Sequence, residues 1–108
     1  MDRTSSEYLI IEGLDWLTKT KSFRDDQQYA VTYNSTMCRL FARIRDYTDD
    51  NKKLVRLYDG LKKTTRFDSE LKEIILRCLE YEGKKRGMPY FMSQEEAQKL
   101  INGIFKAS

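Results

Sequence analysis

Between residues 23 and 47 the apolar side chains recur at steps of three and four: Ala30, Tyr33, Met37, Leu40, Ile44 and Tyr47, with Phe41 widening the stripe. That spacing gathers them along one edge of an α-helix, whereas a half-buried strand would alternate in twos. A helix from Phe23 to Tyr47 would be about 37 Å long at the α-helical rise per residue. A rod of that length would be the spine of any domain this size. Ser22, with Asp25 three residues on, makes a capping-box-like start, and Asp25 and Asp26 suit the positive end of the helix dipole.

The rest of the chain carries the same period. Tyr8, Ile11 and Leu14, with Ile10 and Leu17 beside them, predict a first helix over residues 5–20. Gly13 costs that helix about 1 kcal/mol relative to alanine and is a candidate for a close helix crossing. After "TDDNKK", Asp49 or Asp50 can cap a third helix carrying Leu54, Leu57, Tyr58 and Leu61. Asp68 and Ser69 restart the chain into a fourth, with Leu71, Ile74, Ile75, Cys78 and Leu79 on its apolar stripe; Lys84, Lys85 and Arg86 then close it before Gly87. "SQEE", from Ser93 to Glu96, is a capping box opening a last helix with Ala97, Leu100, Ile101, Ile104 and Phe105 facing inward. The expectation is an all-α, single-domain bundle of about five helices over residues 1–108, with one long central helix. Only five glycines and one proline argue against a many-turned β fold.

Several classes of chemistry find no support in the residues. Histidine is absent, which removes the usual general base and the commonest transition-metal ligand, and with it any Ser-His-Asp or Cys-His arrangement. The aspartate pairs all sit where helices begin, so capping accounts for them. "DYTDDNKKLVRL" lacks the glycine and terminal glutamate of an EF-hand loop. The glycines are isolated rather than gathered into a phosphate-cradling loop. The expectation is therefore a non-enzymatic protein with no catalytic residue, cofactor, metal or small-molecule substrate. No apolar run approaches the ~20 residues that span a bilayer, and the N-terminus lacks the order of a signal peptide, which predicts a cytoplasmic protein. Cys38 and Cys78 both fall on predicted apolar stripes, where a thiol usually acts as a small hydrophobe; an interhelical disulfide is the alternative.

Two surfaces remain as binding candidates. "EGKKRGMPYFMSQEE" is the corner between two helices, yet it holds Met88, Tyr90, Phe91 and Met92 within five positions. These either fold back as a plug on the core or form an exposed patch that a partner covers. With Trp16, they are the candidate protein-binding residues for an adaptor, an inhibitor or a subunit of a larger assembly, including a homodimer. The second surface is cationic. The net charge is only +3, but Arg39 and Arg43 lie one turn apart on the second helix, Lys52 and Arg56 repeat the spacing on the third, and Lys62, Lys63 and Arg66 follow. Were these helices an antiparallel hairpin, the basic residues would form one face with Tyr47 at its edge for base stacking, which is the RNA- or DNA-binding alternative.

Overall fold

The protein is described by a computed structural model over residues 5–107; the side chains of Leu100 and residues 104–107 lie outside that description. Five α-helices and no strand occur among the described residues: α1 (Ser6–Thr20), α2 (Gln27–Tyr47), α3 (Asn51–Lys63), α4 (Ser69–Lys85) and α5 (Gln94–Ala107). Two 3₁₀ turns, Lys21–Phe23 and Pro89–Phe91, join α1 to α2 and α4 to α5.

Local capping sets where the helices begin. Ser5 Oγ accepts the Tyr8 amide, Asp50 accepts Lys52, Asp68 accepts Leu71 and Ser93 accepts Glu96. Each satisfies one of the amides that a helix start leaves unpaired. The long helix is the exception to the sequence expectation. Ser22 does not cap it; Asp26 does, accepting the Gln28 amide at 2.9 Å. Residues 21–26 are used instead in tight turns, with Arg24 N–H donating to Lys21 C=O and Asp26 N–H to Phe23 C=O. That turn folds the chain back so that α2 packs along α1. α2 therefore has 21 residues, beginning at Gln27 rather than Phe23.

Packing joins the helices as two pairs, α1 with α2 and α3 with α4. The α2–α3 hairpin that a continuous basic face would require does not form. Gly13 marks a close approach of the first pair, since a Cβ there would stand 3.3 Å from Leu40 Cδ1. The pairs share one core, in which Ile10, Leu14, Leu17, Leu40, Leu54 and Ile75 are essentially inaccessible to water. Polar ties lock the arrangement. Lys21 Nζ bridges Asp68 and Glu70, fixing the α1–α2 turn to the start of α4. At the other end Arg86 Nη1 donates to Thr48 C=O at 2.6 Å and to Asn51 Oδ1 at 3.0 Å, stapling the α4 terminus to the α2–α3 turn.

Two expectations fail on side-chain direction. Cys38 and Cys78 are both exposed free thiols, not core groups. On α4 the core takes Leu71, Ile75, Leu76 and Leu79, which turns Ile74 and Cys78 outward. On α5, Ile101 is 44% exposed where an inward position was expected; Leu100, Ile104 and Phe105 fall outside the described side chains. The first turn of α5 is tied to α4 by an ion pair between Lys84 and Glu96 at 3.6 Å. The molecule is elongated, 59 × 31 × 23 Å with a radius of gyration of 16.8 Å. A compact chain of this length would have a radius near ~13 Å. No helix of the described residues is long and apolar enough to cross a membrane.

Candidate functional site

The 88–92 segment folds back as a plug. Gly87, at φ +74°, ends α4 in the left-handed conformation that glycine adopts without strain. Met88 N–H then donates to Gly83 C=O and Gly87 N–H to Lys84 C=O, the two bonds of a Schellman cap. Pro89 starts the 3₁₀ turn that swings the Phe91 ring against the bare backbone of Gly83 and edge-on to Tyr58, with centroids 5.0 Å apart. Phe91 is only 8% exposed and belongs to the core, so it offers a partner no surface. Met88 packs against the same core. Met92 is half-buried. Tyr90 remains 51% exposed, but its hydroxyl donates to Asp59. Trp16, half-buried, lies against the core with its ring tilted on Tyr33. The expected aromatic patch is thus mostly interior, because a glycine in α4 leaves room for the ring.

An apolar opening lies elsewhere, between α1 and α3. It is a cleft of about 360 Å³ with walls of Ile10, Ile11 and Leu14 on α1, Leu57 and Leu61 on α3, and Phe67 beyond. Two ion pairs cross it. Arg56 Nε lies 3.2 Å from Glu7 Oε1 near one end, and Arg66 pairs with Asp15 near the other. Tyr47 closes the floor by donating its hydroxyl to Glu7. Burial, then that carboxylate, push the Tyr47 phenol up to about 12. Gly60 also faces the cleft, with nothing within 4 Å of where its Cβ would be. The opening exists because α3 pairs with α4, so the α1 edge carrying Ile11 has no helix laid directly along it.

The basic residues divide between two places. Arg39 and Arg43 line a shallow recess with Leu9, Gly13 and Thr36. Leu9 and Gly13 are each two residues from Glu7 or Ile11, about 200° round α1, so this recess and the cleft lie on different sides of that helix. Lys52, Arg56, Lys63 and Arg66 are exposed along and just beyond α3, and Lys62 Nζ sits 5.3 Å over the Tyr58 ring. Lys53 rests over Tyr47 at 5.5 Å, beside the cleft. Tyr47, expected to stack on bases, is buried with its hydroxyl engaged. What the structure brings together is the α3 cations and an apolar cleft, with Arg56 and Arg66 belonging to both. Among the described residues no group of three or more Cys, Asp and Glu side chains is placed to hold a metal ion.

Sequence reasoning missed the cleft. Leu57 and Ile11 were visible as apolar positions, but nothing in the periodicity shows which helices leave a gap between them. Neither a protein-family model, nor a curated protein, nor a solved structure matches the chain.

Proposed function

We propose that the protein is a non-enzymatic protein-interaction module whose α1–α3 cleft receives apolar side chains of a partner protein. The supporting observation is the cleft itself: a half-open apolar trough of about 360 Å³ in a small helical domain, crossed by the ion pairs Glu7–Arg56 and Asp15–Arg66. Buried aliphatic walls gain from contact with apolar groups at roughly 25 cal/mol per Å² removed from water. The crossing ion pairs join exposed arginines to half-buried carboxylates, and pairs so open to water are individually weak, about 0–1 kcal/mol, so a partner can displace the arginines at little cost. The adjoining cations Lys53, Arg56, Lys63 and Arg66 favour a partner whose apolar anchors are flanked by acidic residues. Such anchors in a pocket, ringed by charge, are how interface hot spots are usually built.

The test is affinity capture from the source cells with wild-type protein and with Gly60→Leu, each with and without nuclease. Leucine at position 60 fills the cleft while improving helix propensity, so the fold is retained. The proposal expects a protein partner that survives nuclease and is lost with Gly60→Leu. Equal capture by both proteins would remove the cleft from the account. Release of everything by nuclease would transfer the α3 cations to a nucleic-acid role.

A further inference from the structure

The outer face of α4 carries a second apolar feature, remote from the cleft and independent of the reading above. Ile74 is 45% exposed and Tyr81 is 72% exposed, with Cys78 also exposed between them. At 100° per residue Ile74 and Tyr81 fall within about 20° of one another around the helix, so they form a stripe rather than scattered groups. Glu70 extends the stripe toward the N-terminal end of α4 and Lys85 toward its C-terminal end. The order along one face is acid, aliphatic, arginine and thiol, aromatic, base.

That order is self-complementary when reversed. A twofold axis crossing between residues 77 and 78 sets Glu70 of one copy opposite Lys85 of the other, and Ile74 opposite Tyr81. An isologous contact requires this: whatever a residue meets across the axis must be met in return. The antiparallel arrangement also opposes the two helix dipoles favourably. Near the axis Arg77 Nε is already neutralised within its own chain by Glu73 Oε1 at 3.0 Å, which removes the like-charge penalty that two facing arginines would otherwise bring. Glu70 lies 2.9 Å from Lys21 and 3.8 Å from Arg24 of its own chain, but Asp68 and Asp25 also pair with those two cations, so acids outnumber bases at this end; Lys85 has no ion pair among the described residues. An acidic or basic heterologous partner would suit only one end of this stripe.

We propose that α4 is a homodimer contact, two copies of this chain meeting with their α4 helices antiparallel about an axis at residues 77 and 78. α4 has 17 residues, about 25 Å of helix. A single helix pair covers less than the roughly 800 Å² per partner of a standard interface. The association is therefore weak and concentration-dependent. Helix axes in such a pair approach to about 8–10 Å, which brings the two Cys78 thiols within reach of one another near the axis.

The experiment joins sedimentation velocity with thiol cross-linking. Cys38→Ser protein, which keeps Cys78, is expected to sediment increasingly as a dimer with rising concentration and to give a covalent dimer with a short bismaleimide. Cys78→Ser protein, which keeps Cys38, is expected to yield no covalent dimer. Tyr81→Glu raises the dissociation constant at least tenfold and Lys85→Glu severalfold, both with unchanged far-UV circular dichroism because the side chains are exposed. Monomer at every concentration, a covalent dimer through Cys38, or a dimer indifferent to both substitutions would each overturn the proposal.

Discussion

Two glycines separate packing from propensity. Gly83 is buried in α4, and any Cβ there would fall inside the van der Waals radius of the Phe91 ring. Gly60 lies in α3 with open space at the same point. Gly83→Ala is expected to destabilise by about 1–3 kcal/mol, the overpacking cost outweighing the gain in helix propensity. Gly60→Ala is expected to stabilise by about 0.5–1 kcal/mol. Urea denaturation of the two variants checks both signs. A second residue-scale feature is the pairing of buried tyrosines with carboxylates. Burial first, then hydrogen bonds to Glu7 and Glu80, push the Tyr47 and Tyr58 phenols up to about 12. Because the fold favours the neutral phenols, their contribution is complete below the unfolded value near ~10 and is lost as pH rises from there through about 12. The urea midpoint should fall across that window, and Tyr47→Phe with Tyr58→Phe should flatten the fall.

Between elements, Arg86 is the most exacting polar contact. It occupies the carbonyl of Thr48, a residue only 3% exposed. Arg86→Met keeps much of the stem but leaves that carbonyl unpaired, which costs about 1–3 kcal/mol and should appear as a lower thermal midpoint. The helices themselves were legible in the sequence. Asp50, Asp68 and Ser93 cap where their types and spacing indicated, and the α2 stripe of Tyr33, Leu40, Ile44 and Tyr47 is buried as its period required. Pairing was not legible, because periodicity shows which face of a helix is apolar and not which helix meets it. On α4 the pattern 71, 74, 75, 78, 79 is wide enough for either of two faces; Leu76 joined the core and Ile74 and Cys78 turned out. The Phe91 plug was one of the two arrangements the sequence allowed; what decides between them is the side chain that Gly83 lacks, which leaves no periodic signal.

At the scale of the whole molecule, two helix pairs sharing one core leave a trough where α1 faces α3 without direct helix-on-helix packing. Its apolar walls come from both pairs, so it exists only in the assembled fold. The α3 cations that invited a nucleic-acid reading border this trough, while Arg39 and Arg43 stand on another side of α1. The most direct test places a photoreactive phenylalanine analogue at Lys53, exposed beside the cleft and outside it, and at the exposed Val31 of α2 as control. On irradiation in the source cells, the account predicts a discrete protein adduct from position 53 and none from position 31. Adducts confined to nucleic acid, or a protein adduct from position 31 with none from position 53, would contradict it.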